Sequence, residues 1–343
     1  MSIASLSPSR LLIASVLLLV GCGSEPSDSP QPSSSTPEIV VYSERREPLI
    51  EPIFERYRRE TGIRVRFVTD TGTALIERLA AEGARTPADL FLSVDAGTLW
   101  LAAERGLLAP VRSAKLEAAV PAHLRDPEGR WFGLSQRART IVYARDRVDP
   151  ARLSGLESLG DPAFRGRVCL RTSKKVYNQS LVAMAIERLG EEATEAMVRA
   201  WVANLAAPPF ADDTQLILSL AAGQCDLGLV NTYYLGRLHA EGRATQVWPY
   251  FPPEGTHVNV SGAGITAHAP RPDAALAFLE WLVSPEVQAD FAGLNFEYPV
   301  REGVALSPII ERYGVFRPDP VHVVVAGKRQ AQAVALMDRA GWR

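Results

Sequence analysis

Strand-like and helix-like segments alternate along this chain, and that alternation limits its fold more than any other feature of the sequence. Residues 39–42 form a short apolar run, and apolar residues then recur at helical spacing from 49 to 57 before Thr61-Gly62 ends the helix. Residues 63–67 alternate between apolar and charged, as in a strand. Repeated strand–helix units predict an α/β fold with a mainly parallel sheet covered by helices.

The same alternation returns after residue 166, which divides the chain into two predicted α/β lobes. Between the two groups lie extended segments at 131–143 and 258–266, which we interpret as two crossings between the lobes. We predict lobe 1 from residues 38–138 and 262–343, with the C-terminal helices returning to it, and lobe 2 from residues 139–261. Such an arrangement leaves a cleft between the lobes, where small ligands preferentially bind.

The N-terminal residues indicate export. Arg10 precedes a short apolar run, and Leu19-Val20-Gly21-Cys22 then resembles the bacterial lipobox, in which the cysteine receives a lipid. We predict a lipoprotein signal peptide over 1–21, a lipidated Cys22, and a flexible tether rich in Ser and Pro over 22–37. A non-lipidated signal with a coincidental cysteine is the alternative. The prediction is a periplasmic protein anchored to a membrane by its lipid.

Composition and cysteine usage agree with an ordinary globular protein outside the cytosol. The 343 residues carry a net charge of −2, so no bulk charge indicates a nucleic-acid partner. With Cys22 lipidated, Cys169 and Cys225 remain as an even pair in a compartment where a disulfide can persist. Two buried free thiols are the alternative.

The sequence carries no recognisable enzyme motif. It lacks GxSxG, GxxxxGK[ST], HExxH and a GxGxxG after a strand, and its five histidines are dispersed. We therefore predict a protein that is not an enzyme. A serine, a histidine and an acid could still converge in space, so a secreted lipoprotein hydrolase remains an alternative.

The most informative local feature is the segment Asn231-Thr232-Tyr233-Tyr234, at the end of a predicted strand and the start of a predicted helix. Side chains in the first turn of a helix can converge on one site, and ligands collect at this edge of an α/β sheet. A phenol is a poor anion at neutral pH, but a hard trivalent cation such as Fe(III) can displace its proton and bind the oxygen. Simple packing of the two rings is the alternative.

From Glu38 to about Pro299 the chain resembles the periplasmic ferric-ion-binding proteins, the substrate-binding components of bacterial Fe(III) ABC importers. The tyrosine-rich group that includes the cyanobacterial iron-deficiency-induced proteins is the most similar. Six segments carry the resemblance in order, at 87–90 with 94–97, 124–129, 131–134 with 137–139, 177–180, 231–235 and 255–259.

The resemblance implies a type II periplasmic-binding-protein fold, whose two lobes close about a hinge over iron. It implies a monomer that delivers Fe(III), or a ferric chelate, to an ABC permease in the inner membrane. It also implies three phenolate ligands, from Tyr233, Tyr234 and Tyr143.

One ligand region departs from the family pattern. Arg46 stands where relatives carry His, and Glu47 stands at the following Tyr. Guanidinium cannot ligate a metal, whereas a carboxylate is a hard oxygen donor. Our hypothesis is that Glu47 or solvent completes the iron sphere, while Arg46 or Arg139 holds a synergistic anion such as carbonate.

The sequence is also compatible with two alternatives. Arg46 and Glu47 could form only a solvated helix start. The protein could also be a receptor of the same fold for an oxyanion or an organic phosphate, without a metal.

Overall fold

The structure is a computed structural model that describes residues 37–343. The predicted signal peptide, Cys22 and nearly all of the predicted tether lie outside these residues, so lipidation of Cys22 stays a prediction. No helix within 37–343 combines the length and the apolar character that crossing a membrane requires.

The described residues alternate between strands and helices, as the apolar pattern predicted. The strands are β1 Glu38–Ser43, β2 Arg64–Thr69, β3 Leu90–Ser93, β4 Phe132–Ala144, β5 Val168–Cys169, β6 Leu227–Asn231, β7 Val247–Tyr250, β8 His257–Ile265 and β9 Tyr298–Pro299. The helices are α1 Glu47–Thr61, α2 Gly72–Glu82, α3 Ala96–Glu104, α4 Ala114–Ala119, α5 Val176–Leu189, α6 Glu191–Ala203, α7 Asp213–Ala221, α8 Thr232–Ala240, α9 Pro272–Leu282, α10 Pro285–Gly293, α11 Pro308–Glu311, α12 Val325–Lys328 and α13 Gln330–Arg339. Short 3-10 turns lie at Gly83–Arg85, Ala122–Leu124, Pro150–Arg152, Leu156–Gly160 and Pro162–Phe164.

The nine strands of residues 37–343 belong to one sheet, with the order β2-β1-β3-β8-β4-β6-β5 and with β7 and β9 also paired to β4. Strand β1 is parallel to β2 and β3, and β5 is parallel to β6. The pairings made by β4 and β8 are antiparallel. The prediction of a mainly parallel sheet is therefore wrong at the centre, because the two crossings run in opposite directions there.

Strands β4 and β8 are the two extended crossings. The start of β4 pairs with the end of β8, where β8 also pairs with β3, and the far end of β4 pairs with β6 and β7. Each strand therefore runs from one group of βα units to the other. We call these groups the first half (β1–β3 with α1–α3, α9 and α10) and the second half (β5–β7 with α5–α8).

Burial follows the same division. One apolar cluster covers the strands and helices of the first half. Two further clusters cover the second half, one of them around Leu181, Trp201 and Leu229 and the other around Leu216, Val230 and Leu235. The last helix, α13, packs in the second half through Ala333 and Leu336. This packing differs from the predicted grouping of 262–343 with the first lobe; the lobe boundaries themselves stay a prediction.

Candidate metal centre

A cleft of about 710 Å³ lies between the two halves and is lined by residues of both. Several helix starts surround it, among them those of α1, α2, α5, α7 and α8. The first amide groups of a helix point out of its start without backbone partners, and the helix dipole is positive there. The cleft is therefore suited to negatively charged oxygen atoms.

Tyr233 and Tyr234 occupy the first turn of α8 and both line the cleft. Strand β6 ends at Asn231, so the chain turns from strand to helix directly at the cleft edge, as the sequence predicted. The two rings lie with centroids 4.4 Å apart and planes 30° apart. The phenols therefore reach the same cleft from adjacent positions.

Tyr177 brings a third phenol to the cleft. It lies in the first turn of α5, which follows β5, and β5 runs parallel to β6. The carboxyl ends of parallel strands meet at one edge of a sheet, so the starts of α5 and α8 face the same space. Residues 177–180 are one of the segments that carry the family resemblance, but Tyr177 itself was not predicted as a ligand.

Cationic side chains surround the three rings. The Lys175 Nζ atom lies 4.7 Å from the centroid of the Tyr177 ring, and the Arg137 Cζ atom lies 5.2 Å from it. The Arg237 Cζ atom lies 5.0 Å from the centroid of the Tyr233 ring. Positive charge close to a phenol favours its ionised form, which is the form that binds a metal.

Burial opposes that ionisation at Tyr233. Burial raises the Tyr233 pKa well above its ordinary value, and the neighbouring phenols of Tyr177 and Tyr234 raise it further, while Arg137 lowers it. Tyr233 is therefore protonated at neutral pH when no cation replaces its proton. A trivalent ion bound here would do so.

The cleft also offers hydrogen-bond donors to an anion. The buried atoms Arg45 Nε and Nη1, Arg137 Nε and Arg171 Nη1 have no hydrogen-bond partner within residues 37–343. The cationic residues at the cleft are Arg45, Arg46, Arg137, Arg171, Lys175 and Arg237, and the acidic ones are Glu44, Asp70, Asp212 and Glu297. Because cations outnumber acids by six to four, an anion that accompanies a metal ion has partners here.

The structure does not bring Tyr143 to the cleft. Tyr143 lies on β4 opposite Leu227, whereas the cleft edge is at the opposite end of β6, where Asn231 pairs with Arg139. Four residues of strand separate these positions by about 13 Å. The Tyr143 side chain is buried in an apolar cluster of the second half, which makes it a core residue.

Of the two charged residues proposed around the first strand, only Arg46 lines the cleft. Arg46 is exposed and precedes α1, where its side chain makes no capping hydrogen bond. Glu47 is the first residue of α1, is exposed, and is not among the cleft residues. The carboxylate that does reach the cleft from this segment belongs to Glu44.

Arg139 is buried and is not among the cleft residues. Its guanidinium donates to Asn178 Oδ1 at 2.9 Å, to Asp213 Oδ2 at 3.0 Å and to Asn231 Oδ1 at 3.2 Å. A fourth bond goes to the carbonyl of Leu229 at 3.0 Å. With its donors engaged by protein groups, Arg139 is not placed to hold an anion, and Arg137 and Arg171 lie in the cleft instead.

Cys169 and Cys225 form a disulfide, with Cα atoms 5.9 Å apart. Cys169 ends β5 and Cys225 lies two residues before β6. The bond therefore ties together the two parallel strands that lead to the tyrosines.

Within residues 37–343, no group of three or more His, Cys, Asp and Glu side chains is placed to hold a metal ion. The phenols of Tyr177, Tyr233 and Tyr234 line the cleft. Tyr177 could have been predicted from the sequence. It is a tyrosine at the start of a helix that follows a strand, and the same feature identified Tyr233 and Tyr234.

Comparison with known proteins gives consistent matches in sequence and in structure. The family model described as bacterial extracellular solute-binding protein matches residues 53–318. "Iron uptake protein A1" of Synechocystis sp. is 41% identical over 339 residues, which cover 95% of this chain and 93% of that protein. The "Fe(3+)-binding periplasmic protein" of Serratia marcescens is 30% identical and covers 89% of each chain.

A solved structure of the Trichodesmium protein IdiA (FutA), in complex with iron and citrate ligands, has the same fold. Its TM-score is 0.85 at 42% sequence identity, and the match covers 89% of this chain and 100% of that one.

Proposed function

Because the chain belongs to the bacterial extracellular solute-binding protein family, we propose that it is the receptor of an ABC importer that captures Fe(III) in the cleft and delivers it to a membrane permease. Its fold is the type II periplasmic-binding-protein fold that the sequence predicted, with two α/β halves joined by two crossing strands. Relatives of this chain are named for iron uptake and Fe(3+) binding. The function proposed here requires no catalytic step.

The observation that carries the proposal is the convergence of three phenols on one cleft. Tyr177, Tyr233 and Tyr234 lie at the starts of two neighbouring helices, among cationic side chains. Phenolate oxygens are hard donors and suit a hard trivalent cation. The iron ligands proposed for this chain are therefore Tyr177, Tyr233 and Tyr234, with Tyr177 in the place that the sequence analysis gave to Tyr143.

Iron loading exchanges protons for the metal ion. Each phenol must lose its proton to bind, and three released protons carry the same charge as one Fe(III) ion. The net charge of the cleft therefore changes little on loading, and its cationic residues stay available to a companion anion such as carbonate. Arg137, Arg171 and Arg45 are the residues proposed to hold that anion, because each lines the cleft and has a buried N–H group that makes no hydrogen bond within residues 37–343. Iron retention should weaken on acidification.

The setting of the receptor follows from the same proposal. Export by the signal peptide and a lipid on Cys22 would hold a monomeric receptor close to its permease. Closure of the two halves over iron would present the permease with a loaded state that differs from the empty one.

The test is a matched set of tyrosine variants loaded with ferric citrate and desalted. Tyrosinate bound to Fe(III) gives a visible charge-transfer band, so the wild type should turn orange to red and retain iron. The double variant Tyr233→Phe/Tyr234→Phe should lose the band, and Tyr177→Phe should weaken and shift it. Tyr143→Phe, which changes a core phenol outside the cleft, should leave it unchanged.

Two results would refute the site. The first is a wild-type protein that retains no iron and stays colourless. The second is an unchanged spectrum in the Tyr233/Tyr234 double variant.

The excess of cations in the cleft supports one other function, a receptor for an oxyanion or an organic phosphate that binds without metal. Titration with such an anion in the presence and absence of Fe(III), followed by metal analysis, separates the two. Binding of the anion to the metal-free protein with no iron uptake would favour this second function.

A further inference from the structure

The three phenols lie on the second half of the molecule, since α5 and α8 belong to it. A ligand shifts a conformational equilibrium only through contacts that differ between the two states. Iron held by these phenols alone would make the same contacts with the halves apart or together. Closure over iron therefore needs a contact from the first half.

Three carboxylates line the cleft outside the second half, those of Glu44, Asp70 and Glu297. The negative charge of Glu297 is paired with a cation, because Arg45 Nη2 lies 2.6 Å from its Oε1 atom. Ser135 also donates to its Oε2 atom. Asp70 is exposed, and its Oδ1 atom accepts a hydrogen bond from the Thr71 amide at 2.6 Å. Within residues 37–343, Glu297 is thus paired with a cation, and the Asp70 carboxylate is held only through the amide of its neighbour.

Glu44 lies between β1 and α1, is half-buried, and forms no salt bridge with any residue of the described chain. Its Oε2 atom accepts hydrogen bonds from Ser93 Oγ at 2.6 Å and from the Val94 amide at 3.3 Å. Its Oε1 atom accepts none from residues 37–343. The carboxylate is thus oriented through one oxygen while the other is unused.

A glycine leaves space for the Glu44 carboxylate. A Cβ atom built on Gly72, at the start of α2, would lie 2.9 Å from Glu44 Oε2. The absence of a side chain at Gly72 therefore makes room for the carboxylate beside the helix start.

We propose that Glu44 is the ligand that the first half contributes to bound iron, and that this contact drives closure. The inference rests on the proposed function. A carboxylate is a hard oxygen donor and suits Fe(III) beside three phenolates. Glu44 takes the role that the sequence analysis gave to Glu47, three residues further along the chain.

The test compares Glu44→Gln with the matched control Glu47→Gln, which removes an exposed carboxylate next to the cleft. Gln keeps the size of the side chain and an oxygen that can accept from Ser93. In Glu44→Gln we expect the charge-transfer band to persist and the iron affinity to fall at least about 10-fold, the scale of losses around metal sites. Its radius of gyration should no longer decrease on iron loading, as measured by small-angle X-ray scattering. Glu47→Gln should match the wild type in its charge-transfer band, its iron affinity and its compaction on iron loading.

A second variant tests the same idea if Glu44→Gln does not fold. Ser93→Ala keeps the Glu44 carboxylate but removes its 2.6 Å hydrogen bond, so we expect a smaller loss of affinity in the same direction.

The possible failures are distinguishable. A wild type without a visible band would overturn the proposed function itself. The role of Glu44 alone would be overturned if the wild type shows the band and Glu44→Gln keeps the wild-type iron affinity and compaction. If Glu44→Gln does not fold, the same result in Ser93→Ala would overturn it.

Discussion

The buried guanidinium of Arg139 connects the starts of the helices that carry the tyrosines. Arg139 bonds to Asn178 in the first turn of α5, to Asp213 at the start of α7 and to Asn231 just before α8. Removing one member of a buried, hydrogen-bonded ion pair is costly, because it leaves the other charge without a partner. Arg139 therefore determines the site through the position of the phenols and not by binding cargo.

His257 lies next to this guanidinium, opposite Arg139 on β8, and gives the fold a dependence on pH. Burial lowers the His257 pKa to about 3, and Arg139, Arg137 and Arg188 add to the effect. Below the ordinary pKa of 6.5 the unfolded chain gains a proton at this site that the folded chain does not gain. The free energy of unfolding should therefore fall by about 1.4 kcal/mol per pH unit between 6.5 and 3 on account of this residue.

Urea unfolding at pH 7 and pH 4.5 checks this prediction. His257→Gln should show a smaller loss of stability between the two pH values than the wild type. His268→Gln, which changes an exposed histidine, should follow the wild type. Equal losses in all three proteins would contradict the assignment.

The tyrosines also show how far the sequence could predict the site. Tyr233 and Tyr234 follow a strand and begin a helix, so their place at the sheet edge could be predicted from their neighbours. Tyr143 lies inside β4, a 13-residue strand that runs through both halves. The family resemblance implied Tyr143 as a ligand, but which part of such a strand reaches the cleft is set by its pairing, with Arg139 opposite Asn231.

At the scale of elements, the second half depends on very short strands. Strand β5 has two residues, yet it leads to α5 and Tyr177. The disulfide between Cys169 and Cys225 compensates for this short pairing by joining β5 to the segment that enters β6. The sequence left disulfide and free thiols equally open, because the distance between two cysteines 56 residues apart depends on the whole fold of the segment.

Removal of this disulfide should lower the free energy of unfolding but leave the iron site largely unchanged. The bond closes a loop across 56 residues, and the chain-entropy model gives about 4 kcal/mol for a loop of this size. We expect the Cys169→Ala/Cys225→Ala double variant to lose about 2–5 kcal/mol in urea unfolding. Its charge-transfer band after iron loading should stay at the wild-type position. A urea-unfolding midpoint equal to that of the wild type with its disulfide intact would contradict the prediction.

At the scale of the whole molecule, the C-terminal segment connects the two halves outside the sheet. Helix α12 contacts α3 of the first half and α5 of the second. The approach to α3 is close, because a Cβ atom built on Gly327 would lie 2.5 Å from the Trp100 ring. The sequence showed the two halves but not this connection, since a four-residue helix leaves no periodic pattern to detect.

Gly327→Ala tests the importance of this contact. The added methyl group has no room against Trp100, so we expect a loss of about 1–3 kcal/mol and a lower melting temperature. Gly293→Ala is the matched control, because a Cβ atom there meets nothing within 4 Å. That variant should melt at or slightly above the wild-type temperature. Equal melting temperatures in both variants would show that the contact between α12 and α3 accommodates a methyl group at little cost.

The placement of all three phenols on one half has a consequence for the order of events during uptake. The second half can bind an ion while the molecule is still open. Binding and closure therefore become separate kinetic steps. Changes in the first half, such as at Glu44, should then leave the association rate almost untouched and shorten the residence time of the cargo.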